Sequence, residues 1–348
     1  MLYIISEFPQ ISQTYIKTEL EAVAKDHDVA VIARKSPDLK YETDIDYKQI
    51  KDKDQIREAV EEYRPDVIHT HYMNQLKVIG PIAERLQIPF TVRAHSFDVL
   101  KPGEKGRDNF KEIEKGQMSN SVKVAVDYVN HELCLGALTF PFTRPFLEKQ
   151  GMRSDKLIDC WPVVNVPAFE DRGPNGDAIM NTGACIPKKQ MDDFIQLATK
   201  VPDRQFNLYA LGYQVETIAD VNAAAGNPVA IVPPVQPDEM PAEYKKHEWL
   251  VYTGSFEMAT VGWPMAIAEA QASGCGVCMP NIRDDVREYV GEGAGFVYDS
   301  VDEVAKIVSQ PVPDDVREAG FEQAKKSDIN RHKHLLTDLW QKVAVPAG

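Results

Sequence analysis

Short β-rich runs alternate with helical stretches along this chain, and that alternation restricts it to parallel sheets joined by crossover helices. In the first half the strand-like runs are Leu2 to Ile5, Val29 to Ala33, Val67 to His69, Phe90 to Ala94, Val122 to Val126, Cys134 to Phe140 and Leu157 to Trp161. Helical character falls on Ser12 to Lys25 and Lys77 to Leu86. The second half repeats the pattern with Ile179 to Gly183, Phe206 to Leu211, Val229 to Val232, Trp249 to Tyr252 and Gly276 to Met279. At 348 residues and 43% hydrophobic composition, the chain exceeds one ordinary core and suits two of roughly 150 to 180 residues. Turn formers crowd Val164 to Asp177, which holds Pro167, Gly173, Pro174, Asn175 and Gly176, so the break is expected there, with a cleft between two α/β domains. The expected domains are 1–165 and 177–327. The remainder, 328–348, carries an apolar stripe of Leu335, Leu336, Leu339, Trp340 and Val343 that can pack back on the first domain.

A formal net charge of −14 works against attraction to the phosphate backbone of nucleic acid. The chain opens on Leu2-Tyr3-Ile4-Ile5 without a basic leader, and nowhere holds the roughly 18 apolar residues of a membrane span. A cytoplasmic protein, at most peripheral to a membrane, is the expectation. Five scattered cysteines read as reduced thiols, and Cys275-Gly276-Val277-Cys278 reads as a buried strand rather than a redox motif. His69 and His71 form a His-x-His that can hold a metal only if carboxylates converge on it from elsewhere. His332 and His334 read as solvated positions near the end of the chain.

Residues 262–274, GWPMAIAEAQASG, read as a tight loop feeding a helix. Gly262 permits close backbone approach, Pro264 suits an early helical position, and the amides of Met265 and Ala266 favour an anion at the helix start. Glu269 lies one and a half turns further on, within reach of a ribose. In outline this is a nucleotide-diphosphate site.

Further segments, taken with this one, carry a resemblance: SEFPQISQTYI at 6–16, RPDVIHTH at 64–71, IPFTVRAHSFD at 88–98 and NTGACIPKK at 181–189. In this order they resemble the glycosyltransferases of family 4, in their capsular and exopolysaccharide branches. The resemblance implies a GT-B fold, two Rossmann-like doubly wound parallel-sheet domains facing a central cleft. It also implies transfer of a sugar from a nucleotide-diphosphate donor to a hydroxyl acceptor (a glycan, a lipid-linked or a small molecule), with retention and with no metal or other cofactor.

The same resemblance places Gly183, Lys188, Lys189, Pro234, Val235, Gly262, Trp263, Pro264, Met265, Ala266 and Glu269 at the donor. Lys189 and then Lys188 carry the charge that stabilises the leaving diphosphate. His95, at a strand end, steadies the transferring group; His95, Lys189 and Glu269 form the catalytic set. Ser12, Gln13, Thr14, His71, Tyr72, Asn74, Arg93 and Asp98 are the acceptor set, although Ser12 and Thr14 equally suit helix capping and Asp98 suits loop organisation. Arg93, buried in a strand run, needs either an internal carboxylate or a phosphate. Two positions depart from the family pattern: Val261 stands where a donor-sugar glutamate is usual, with Glu257 nearby, and Ala184 where an arginine clamps the diphosphate. These departures keep a noncatalytic GT-B binding protein open beside the enzyme. An epimerase of the same fold and a nucleic-acid glycosyltransferase are further alternatives.

Overall fold

The computed structural model describes residues 1–100, 120–257 and 260–344, and the chain forms two compact units. The first contains residues 1–100, 120–161 and 329–344, the second 162–257 and 260–328. The division falls between Trp161 and Pro162, and the turn-rich stretch 164–177 belongs to the second unit. There Val164 pairs with Asp328, and the Asn175 amide donates to the His247 carbonyl.

Seven parallel strands form the first sheet: β1 (Leu2–Glu7), β2 (Ala30–Lys35), β3 (Tyr47–Gln49), β4 (Ile68–His71), β5 (Phe90–Arg93), β6 (Cys134–Thr139) and β7 (Leu157–Asp159). Their order is β3-β2-β1-β4-β5-β6-β7. The two-residue period of β1 sends Leu2 and Ile4 into one apolar cluster and Tyr3 and Ile5 into the other. The first cluster is closed by residues of the helices Lys53–Tyr63, Leu76–Leu86 and Asn120–Asn130. The second is closed by the helix Thr14–Ala24 and by Leu336, Leu339 and Trp340 of the helix His334–Ala344. Covering both faces explains why β4 and β5 read as continuous buried runs rather than alternating ones.

The second unit repeats the plan with β8 (Ala178–Ala184), β9 (Phe206–Leu211), β10 (Val229–Val232), β11 (His247–Val251), β12 (Gly276–Pro280) and β13 (Phe296–Tyr298), ordered β10-β9-β8-β11-β12-β13. Phe194 and Ile195 of the helix Met191–Lys200 pack on Ile179, Phe206 and Leu208. Cys278 lies in β12 with Cys275 just before it, and both are buried free thiols. Among the described residues no helix is long and apolar enough to cross a membrane.

Two sequence expectations are corrected, and two strands are added. Val122 to Val126 lies in the helix Asn120–Asn130, where Val122, Ala125 and Val129 share the buried side. Helical spacing there overrides the strand preference of three β-branched residues. The three-residue strands β3 and β13 had no strand signal of their own, because two or three residues show no period. His332 is buried rather than solvated, whereas His334 is exposed.

Trp340 is 4% exposed, and its indole N–H donates to Thr91 Oγ1 in β5 at 3.0 Å. Trp340→Ala is expected to destabilise the first unit by about 3 to 5 kcal/mol through the cavity and the lost bond. Urea unfolding followed by a probe in the first unit checks this; a midpoint equal to that of the parent chain would contradict it.

Candidate functional site

In an open parallel sheet, ligands collect at the carboxyl ends of the strands where the strand order reverses. That point lies between β1 and β4 in the first sheet and between β8 and β11 in the second. The loops that follow these four strands hold nine of the twenty site residues singled out from the sequence, among them Ser12, Asn74, Lys188, Lys189 and Gly262.

In the second unit, Pro187–Lys189 forms a short turn after β8. It is tied to the segment after β11: Ser255 N–H donates to the Lys188 carbonyl at 2.9 Å, and the Thr253 hydroxyl to the Lys189 carbonyl at 2.7 Å. Asn181 of β8 in turn donates to Thr253 Oγ1. Lys189 Nζ lies 5.2 Å from the centre of the Tyr252 ring, a cation–π distance. Gly183 makes room for it: its φ is +133°, and a Cβ there would stand 2.3 Å from Lys189 Nζ.

Among the described residues neither Lys188 nor Lys189 has a carboxylate partner. Desolvation pushes both ammonium groups down to about 8, with Arg283 adding to the effect at Lys188 and Lys188 at Lys189. Half-buried cations repelled by other cations define a place that wants an anion.

The loop before the helix Met265–Ala272 is pinned by a group that the sequence did not single out. The Arg283 guanidinium donates to the Val261 carbonyl and bidentately to Asp285, at 2.8 and 2.9 Å. Asp285 also accepts the Trp263 indole N–H at 2.8 Å. Tyr289 stacks on Trp263 with centroids 5.0 Å apart and donates its hydroxyl to the Pro264 carbonyl. Trp263, placed with the donor set from sequence, is therefore buried and shapes the loop from inside. The helix opens at Pro264 without a side-chain cap, with Met265 and Ala266 as its first two residues.

Glu269 is half-buried and accepts the Tyr244 hydroxyl at 2.7 Å; desolvation raises its carboxyl to about 7 against that bond. Pro234 is exposed and Val235 half-buried, just after β10. Val261 is buried, and Glu257 is exposed.

In the first unit, Arg93 finds the internal carboxylate. Its Nε and Nη2 each lie 2.6 Å from Glu19 Oε2, and Nη1 donates to Cys160 Sγ at 3.1 Å. Glu19 Oε1 faces His69 Nε2 at 3.0 Å, His71 Nε2 at 3.3 Å and the Tyr3 hydroxyl at 3.3 Å. Burial opposes the charge on Glu19, but Arg93 and the two histidines together hold its carboxyl well below the usual range. Burial also lowers both histidines, His69 to about 4. One carboxylate thus converges on the His-x-His, with the three ligand-type atoms within 4.8 Å of one another. Arg93 already supplies the positive charge this cluster balances.

Asp98 is fully buried and raised to about 7 by desolvation. Its two oxygens accept the backbone amides of Met73, at 2.7 Å, and His95, at 2.8 Å, joining the loops after β4 and β5. The His95 ring is half-buried between Tyr15 and Tyr72, each with its centroid 4.5 Å away, and Tyr15 and Tyr72 join their hydroxyls.

Of the acceptor set, Ser12, Gln13, Thr14 and Asn74 reach solvent at this edge, whereas His71, Tyr72, Arg93 and Asp98 are buried. These last four make bonds inside the unit that hold the edge in shape. The helix Thr14–Ala24 has its N-cap at Gln13, whose side chain makes no cap bond.

Gly183→Ala is expected to displace the Lys189 ammonium and strain the backbone, weakening binding of inorganic diphosphate by at least about 10-fold. Isothermal titration checks it; equal affinity in the two proteins would contradict the placement of Lys189 at an anion site.

No protein-family model matches the chain, and no curated protein does. Solved structures match over almost its full length. HepE of Anabaena, in complex with UDP-glucose, is 14% identical with a TM-score of 0.71, covering 99% of this chain and 98% of that one. A glycosyltransferase from Rickettsia africae is 14% identical at 0.69, covering 99% of each chain. Sucrose-phosphate synthase from Thermosynechococcus elongatus is 13% identical at 0.71, covering 99% of this chain and 98% of that one. With its two parallel α/β units, the chain has the GT-B fold of these glycosyltransferases.

Proposed function

We propose that this protein is a glycosyltransferase that moves a sugar from a nucleoside-diphosphate donor to a hydroxyl acceptor. The observation that carries the reading is the pair Lys188 and Lys189, half-buried at the switch point of the second sheet with no carboxylate partner among the described residues. A breaking glycosidic bond builds negative charge on the diphosphate, and preorganised cations stabilise that charge most where water is scarce. The opening amides of the helix Met265–Ala272 add a positive field, and Glu269 is the acceptor for ribose hydroxyls. Pro234 and Val235 receive the base through main-chain groups.

His95 steadies the transferred sugar, and Ser12, Gln13, Thr14 and Asn74 contact the acceptor. We read the reaction as retaining, of the family 4 kind, without a metal, in the synthesis of a polysaccharide or related glycan in the cytoplasm. HepE is seen with UDP-glucose and with UDP and glucose, which makes UDP-sugars the first probes for this chain.

Val261 supports a second reading, a GT-B protein that binds a nucleotide sugar without transferring it. It places a buried apolar side chain where a donor-sugar carboxylate is expected. Released nucleotide in the presence of an acceptor mixture separates the two readings.

Lys189→Ala is expected to lower transfer by about 100-fold. Unchanged kinetics with an identified donor would remove Lys189 from the mechanism. A pH dependence follows from the lowered lysines. Without ligand the fold binds fewer protons than the unfolded chain between about 8 and about 10.5, so their contribution to stability rises with pH across that window. A bound anion raises both values. UDP binding should therefore take up protons near pH 8 to 9 and weaken as the pH rises further. Titration calorimetry in buffers of different ionisation enthalpy reads this directly; binding with no proton uptake would place the phosphates elsewhere.

A further inference from the structure

Two imidazoles, His71 and His95, connect the buried Glu19–Arg93 pair to the partly exposed edge of the first sheet, and a third, His69, faces the same carboxylate. An ionised carboxylate has only lone pairs, so each ring that faces Glu19 Oε1, His69 at 3.0 Å and His71 at 3.3 Å, turns an N–H toward it. Burial keeps the two rings neutral, so each has a single proton, on Nε2, and each Nδ1 is an acceptor.

The partners fit that assignment. Thr91 Oγ1 lies 2.7 Å from His69 Nδ1; it gives its hydroxyl proton there and receives the Trp340 indole N–H. His95 Nε2 lies 3.1 Å from His71 Nδ1 and must be the donor of that pair. His95 is neutral too, lowered well below the ordinary histidine value by burial and then by His71 and Arg93. Its own Nδ1 is then left as an acceptor.

We propose that Glu19 is a positioning residue that, through His71, fixes His95 as the Nε2–H tautomer and holds its ring at the edge of the sheet. The chain of donors runs one way, from His95 to His71 to Glu19, and a second runs from Trp340 through Thr91 and His69 to the same oxygen. Around His95 the neighbouring groups are the rings of Tyr15, Tyr72 and His71, with Asp98 on its backbone and the Arg93 and Glu19 charges behind. For the transfer reaction, on whose reading this consequence rests, His95 has no spare proton at Nε2. It steadies a sugar by its ring and backbone and is not a general acid.

The test is a long-range proton–nitrogen correlation spectrum of the full chain carrying 15N-histidine, without sugar nucleotide, at neutral pH. His69, His71 and His95 are expected as single Nε2–H tautomers with no imidazolium form. In Glu19→Gln, Arg93 takes the remaining carbonyl oxygen and the amide NH2 turns to the rings, so His71 is expected to leave the Nε2–H form. If Glu19→Gln does not fold, the parent spectrum alone decides.

An Nδ1–H or charged His71 or His95 at neutral pH would overturn the proposal. So would unchanged tautomers in a folded Glu19→Gln, or added Zn2+ displacing the Nε2 protons stoichiometrically. Because no donor is present, an inactive protein with these tautomers refutes the transfer reading alone. In an active protein, kcat/KM should show no inflection from His95 near the ordinary histidine value.

Discussion

Parallel strand direction is the constraint from which the rest follows. A parallel pair cannot be closed by a tight hairpin, so each strand must be followed by a crossover that returns to the same end of the sheet. Every loop after a strand therefore emerges on one edge, and reversing the strand order opens a gap there. In each unit the gap gathers segments far apart in sequence: residues 8–13 with 72–75 in the first, and 185–190 with 252–264 in the second. The chemistry of each edge then depends on what those segments carry and on whether their charges are answered.

The two units answer their buried charges differently. In the first, Glu19 is held by Arg93, two imidazoles and a tyrosine hydroxyl. Removing one partner of such a pair costs about 3 to 5 kcal/mol, because the other charge is left stranded. That cluster is complete in itself. In the second, Lys188 and Lys189 are desolvated with further positive charge nearby. Arg283, which could have answered a phosphate, is spent on Asp285 and the Val261 carbonyl. Unanswered charge of this kind is what makes the second edge the candidate ligand site.

Much of this could be read from residues alone, and the failures have physical causes. The long strands were legible because four or more apolar residues between turn formers leave few alternatives, whereas β3 and β13 are too short to show a period. Residues 122–126 misled because valines at every second position look like a strand, while the helix uses Val122, Ala125 and Val129. Lys188, Lys189 and Glu269 were singled out through the family resemblance. Glu19 was not, because a glutamate within TYIKTELEAVA reads as the solvated side of a helix. The signal that could have found it was Arg93, a guanidinium in a buried strand that required a carboxylate. Arg283, Asp285 and Tyr289 carried no pattern at all; only the fold shows that they brace the loop at 261–264.

The return of residues 329–344 to the first unit makes its core discontinuous in the chain. Trp340 and Leu336 fill the face that Tyr3 and Ile5 present, so during synthesis the early strands wait, with that surface uncovered, until residues 329–344 have emerged. The second unit has no such debt to later residues and can close first. Vectorial synthesis thus favours completing the later-made core before the earlier-made one, the reverse of the usual order for multidomain chains.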